Sequence, residues 1–108
     1  MTRRQARQPA NDVTPNVDPV MARVHRLRSR GKARRAMLFL KDACCRESHD
    51  ARLWTQYGAQ CVSMGDLNEA RRAYKHALWL RERERDHGRA STTRQLLEGL
   101  DVSPSNAA

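Results

Sequence analysis

Residues 51–84 read ARLWTQYGAQCVSMGDLNEARRAYKHALWLRERE, and this stretch decides the fold. Its apolar residues recur every three or four positions, the spacing of a helix face, and do not alternate as a strand would require. Trp54, Tyr57, Gly58 and Cys61 share one stripe, so a helix is expected over 51–63 with its end at Gly65. A second helix starts at once. Asp66 followed by Glu69 has the form of a capping box, in which the Asp accepts from a first-turn amide and the Glu reaches back to the cap. Ala70, Tyr74, Ala77 and Leu78 form its buried stripe, and the pattern runs to Asp86 with Gly88 as the stop.

Upstream, Asp18 suits the cap of a helix over 18–30, because Pro19 at the first helical position loses no hydrogen bond. Gly31 suits the left-handed residue after it. A further helix is expected over 33–46, with Ala36, Leu40 and Ala43 on one face and Met37, Phe39 and Cys44 beside them. Downstream, a cap helix within 88–100 offers Leu96, Leu97 and Leu100 as an apolar edge. Residues 1–16, with Pro9 and Pro15, and residues 101–108 lack apolar periodicity and read as flexible tails. No strand signal interrupts the helices, so the expected class is all-α, built of antiparallel helix hairpins.

The two hairpins repeat. Gly31 recurs as Gly65, Ala36 as Ala70, Leu40 as Tyr74, Ala43 as Ala77, Ser29 as Ser63 and Lys41 as Lys75, each pair 34 positions apart. The second unit, 51–84, resembles the tetratricopeptide repeat, a helix pair of that period. Trp54, Tyr57 and Gly58 stand where the family has W-x2-L-G, with Tyr for Leu; Cys61 replaces the usual Tyr. Ala70 takes the small position, Tyr74 the aromatic one, and Ala77, Leu78 and Leu80 match the closing A-L-x-L, while Glu82 stands in place of the final Pro. The unit at 17–50 is a weaker copy, with Val20, Arg23, Val24 and Leu27 at the corresponding places. The resemblance implies a short superhelical stack of two repeats and a cap, in which Gly58 and Ala70 meet at a close helix contact. About three repeats are usually wanted for independent stability, so the cap, self-association or a partner must complete the stack.

The same resemblance implies a concave groove lined by the first helix of each hairpin. It nominates Asp18, Met21, His25 and Arg28 from the first unit, and Arg52, Thr55, Ala59 and Val62 from the second. Family members that hold a carboxyl-terminal tail use Lys and Asn at positions that read Met21, His25 and Gln56 here, which argues against that clamp.

Charge narrows the partner. The net charge is +9, and +5 of it falls in residues 17–50. Between Asp18 and Asp42 there is no acid. The basic patch there is Arg23, Arg26, Arg30, Lys32, Arg34 and Arg35, partly at a helix start where the macrodipole favours an acid. A docking point for carboxylate or phosphate is one reading; an arginine-rich composition is the other. By contrast, residues 81–86 alternate in sign and are expected to pair at i,i+3 as a solvated surface. Trp79 falls at a repeat position that is usually exposed, and reads either as a contact residue or as one folded beneath the cap helix.

Several classes are disfavoured. No glycine-rich phosphate loop, nucleophile–base pair or carboxylate pair marks an enzyme. Cys44, Cys45 and Cys61, with His25, His49, His76 and His87, lack zinc-ligand spacing and read as reduced thiols and surface histidines, so neither metal nor cofactor is expected. Neither a spanning segment nor a secretory signal is seen, and the cytoplasm is the expected location. The function expected is therefore a protein-interaction adaptor for an acidic protein or peptide. A nucleic-acid-binding protein ranks second, because no aromatic platform lies among the arginines.

Overall fold

The computed structural model describes residues 18–102, and among these every regular element is a helix. In chain order they are α1 (Pro19–Ser29), α2 (Ala33–Arg46), α3 (Ala51–Ser63), α4 (Leu67–Arg83) and α5 (His87–Val102). Of the tails expected at 1–16 and 101–108, residues 1–16 and 103–108 lie outside the described residues, and Asp101 and Val102 belong to α5. Links of three or four residues force consecutive helices to fold back as antiparallel neighbours, and each helix packs on the next. The fold is all-α.

Local chemistry fixes the boundaries. Asp18 caps α1 through the Val20 amide, Asp50 caps α3 through Arg52 and Leu53, and Asp66 caps α4 through Glu69. Gly31 and Gly65 take positive φ values of 72° and 81°, and the following amides of Lys32 and Asp66 return to the carbonyls of Leu27 and Cys61, closing the orphaned ends of α1 and α3.

The end of α4 departs from expectation. The helix stops at Arg83, not Asp86, and the left-handed residue is Arg85, φ 59°, while Gly88 lies inside α5. The amides of Arg85 and Asp86 return to Glu82 and Arg81, the same closure as at the two glycines. Asp86 then serves as the cap of α5, accepting from the Arg89 amide at 3.2 Å, so α5 begins at His87 and continues through Asp101 and Val102. Because the helix breaks there, the expected i,i+3 pairs within 81–86 do not form: Arg81 and Arg89 reach Asp86, Glu82 pairs with Arg94, and Arg83 lies over Trp79.

The core runs continuously from Val24 of α1 through Ala36, Leu40 and Cys44 of α2 and Leu53, Tyr57 and Cys61 of α3 to Ala70, Ala73 and Tyr74 of α4 and Leu100 of α5. On α5 the buried positions are Ala90, Thr93 and Leu100, with Leu97 half-buried, whereas Leu96 is exposed. Gly58 was expected against Ala70, but the atoms nearest a Cβ there are carbons of the Tyr74 ring, two of them at 2.6 Å. Large aromatic on bare backbone is how α3 and α4 close up.

Candidate functional site

The nominated groove residues stand on α1 and α3, which are tied side by side. Arg52 pairs with Asp18, so the start of α3 is pinned to the start of α1. Burial works to raise the Asp18 pKa, but the Arg52 guanidinium and the amides of Val20 and Met21 outweigh it and hold the carboxyl below its ordinary value. At the other end, Arg28 Nε donates to Gln60 Oε1 at 2.7 Å, and Gln60 Nε2 donates to the Ala33 carbonyl at 3.2 Å. Gln60 is only 1% exposed, so a buried amide satisfied on both sides links α1, the start of α2 and α3. Sequence reasoning overlooked it, because a Gln between Ala59 and Cys61 carries no sign of its long-range partners.

Of the groove set, His25, Arg52, Ala59 and Val62 are exposed, and Met21, Arg28 and Thr55 are half-buried. Thr55 donates its hydroxyl to the Ala51 carbonyl at 2.8 Å, which commits that proton within α3. The set therefore presents an imidazole, small side chains and two guanidiniums already engaged by Asp18 and Gln60.

The basic patch has a different character. Arg23, Arg26, Arg30, Lys32, Arg34 and Arg35 are all exposed, and among the described residues no cation from Arg23 to Lys41 enters an ion pair. Arg23 lies over the Phe39 ring at 5.2 Å, while Arg46 and several later arginines meet carboxylates. The α2 start intensifies the contrast. Where α1, α3, α4 and α5 each begin on an Asp, α2 begins on Lys32 with no side-chain cap and no acid in its first turn. Unsatisfied amides and a ring of cations share one corner.

A third region surrounds Trp54. Its indole Nε1 donates to the Ser48 carbonyl at 3.0 Å, and His76 Nε2 lies 3.2 Å from the same oxygen, gathering α3, α4 and the 47–50 link. Trp54 and His76 meet edge-on at 4.5 Å, and Trp79 extends the row at 5.8 Å from His76. Trp79 is 51% exposed and does not fold beneath α5. Burial pushes the Cys44 thiol up to about 12 and also raises Cys61, while Cys45 alone of the three is exposed. Among the described residues no group of three or more metal-ligating side chains gathers, and no helix is long and apolar enough to cross a membrane.

Comparison with protein-family models, with curated proteins and with solved structures gave no match.

Proposed function

We propose that the chain is a small helical-repeat adaptor of tetratricopeptide type that binds an anionic protein or peptide segment. The segment would lie along the groove of α1 and α3 and be held by the basic corner of α1 and α2. One observation carries this reading: among the described residues the cations from Arg23 to Lys41 have no carboxylate partners, whereas Arg46, Arg52, Arg71, Arg81, Arg89 and Arg94 each meet one. Arg30, Lys32, Arg34 and Arg35 flank the uncapped start of α2, where positive charge costs stability. A site kept against stability is one where an external anion supplies the missing partner. His25, Ala59 and Val62 give the adjoining helix faces the open, mixed surface that an extended segment can follow.

The test replaces Arg30, Lys32, Arg34 and Arg35 by Gln. Partner binding should weaken and become less dependent on salt, with stability unchanged or raised by up to about 1 kcal/mol as the conflict with the helix dipole is relieved. Replacing Arg89 and Arg94, each matched to a carboxylate, should matter much less. Equal losses from both sets would reduce the corner to part of a general positive field and favour nucleic acid as the partner.

A further inference from the structure

Trp79 and Cys45 belong to neither surface used above. In α2, Arg34, Leu38, Lys41 and Cys45 succeed one another by four, three and four residues, and in α4 so do Arg72, His76, Trp79 and Arg83. Each set therefore lies along one helix face. Leu38 is 50% exposed, about as much as Trp79. Between the two helices opens a cavity of about 360 Å³, with Lys41 and Cys45 from α2, Glu69, Arg72 and His76 from α4, and Trp54 from α3 in its lining. That volume is enough to seat a large side chain.

The charges around the cavity are one-sided. Among the described residues Lys41 enters no ion pair, and the Arg72 side chain is 81% exposed while touching Glu69 only at 3.6 Å. Glu69 is the one acid in the lining; its Oε2 accepts from the Tyr57 hydroxyl at 2.7 Å, and its Oε1 has only the long contact with Arg72. Arg83 sits 4.7 Å from the Trp79 ring centre and adds a cation beside the exposed indole.

We infer that the groove between α2 and α4 is a second docking surface, for an acidic peptide segment. One aromatic or aliphatic side chain of the segment seats against Trp54 and His76, and neighbouring carboxylates meet Lys41, Arg72 and Arg83. Charge complementarity selects this occupant. A nucleic-acid strand fits less well, since one face of Trp79 is already covered by Arg83, leaving no open series of ring faces for bases. At about 100° per residue, the mean direction of Trp54 and Tyr57 around α3 lies about 140° from that of Thr55, Ala59 and Val62, so the two surfaces face different ways.

The groove carries its own reporters. Trp54 and Trp79 are the chain's two tryptophans, and Cys45 is the exposed thiol. The full chain would be titrated with an acetylated peptide of Asp and Glu around one central Phe, with the Phe-free peptide and dodecathymidylate as comparisons. The peptide should shift the tryptophan emission and slow alkylation of Cys45. Lys41→Glu, which puts an acid where the carboxylates dock, and Trp79→Ser, which removes the ring that Arg83 lies over, should each weaken it about tenfold with unchanged circular dichroism. Lack of Cys45 protection, full affinity in both variants, equal binding of the Phe-free peptide, or stronger protection by dodecathymidylate would each overturn the inference. Binding that survives Lys41→Glu and is lost on replacing Arg26 and Arg30 by Gln would overturn it too, while leaving the preceding reading intact.

Discussion

Gly58 has no side chain because the Tyr74 ring occupies the space where one would begin. Gly58→Ala would gain up to about 1 kcal/mol of helix propensity, but a Cβ at 2.6 Å from ring carbons that are themselves buried cannot be accommodated in place. The overpacking should win, costing about 1–3 kcal/mol in thermal or denaturant unfolding. Ala70, fully buried, should respond to Ala70→Leu in the same way. An unchanged midpoint in both variants would contradict the packing of α3 on α4. Arg85 is the opposite case. It adopts the left-handed conformation that Gly31 and Gly65 adopt at the other two turns, at a steric cost glycine avoids. Arg85→Gly should therefore raise stability by about 0.5–1 kcal/mol, the strain relieved less the extra freedom of the unfolded chain. Among the thiols, burial keeps Cys44 and Cys61 protonated, so a thiol reagent should modify Cys45 alone in the native protein and all three in denaturant.

Helix starts set the next level. Asp50→Ala removes the acceptor for two amides of α3 and should cost about 1 kcal/mol. Lys32→Asp should do the reverse for α2, adding about 0.5–1 kcal/mol by supplying a cap and an acid at the dipole's positive end, while weakening anion binding. A Lys32→Asp variant that gains neither stability nor a binding defect would remove the basis for assigning the corner a role. Acid should expose the caps as well. Asp18 and Asp86 have pKa values lowered in the folded chain, Asp18 because Arg52 and backbone amides outweigh burial, Asp86 through the Arg89 side chain and amide. A group with a depressed folded pKa stabilises above its unfolded value and loses that contribution as pH falls through the folded one. Melting temperature should thus decline as pH falls below about 4, and less steeply in Asp86→Asn. The spans of α2 and α3 were legible in the sequence because periodicity and stop signals agree there. At α4 they conflict: Gly88 is the obvious stop, yet Asp86 is a sufficient cap for α5, and cap chemistry prevails by placing a non-glycine residue at the turn. The expected capping box at α4 is also half-formed. The Asp66 amide is already bonded to the Cys61 carbonyl, which frees Glu69 to accept from Tyr57.

For the whole molecule, local rules place cations on faces but do not reveal which of them meet acids across helices. The absence of acids between Asp18 and Asp42 was legible, but that no cation from Arg23 to Lys41 meets a carboxylate of another helix, among the described residues, was not. The pairings Arg71–Asp101, Arg94–Glu82 and Arg28–Gln60 join residues about thirty or twelve positions apart and depend on the stacking itself. The row from Trp54 through His76 to Trp79 was hidden for the same reason, since it joins two helices and a link. The charge asymmetry predicts that a partner associates faster at low salt and that the effect fades once screening falls to about 8–10 Å. The most direct measurement is capture of partners by the full chain from nuclease-treated lysate, beside the variant with Arg30, Lys32, Arg34 and Arg35 replaced by Gln. An adaptor for acidic proteins predicts a defined set of proteins that survives nuclease and is lost from the variant, which is at least as stable; recovery that disappears with nuclease, or that the variant retains in full, would contradict it.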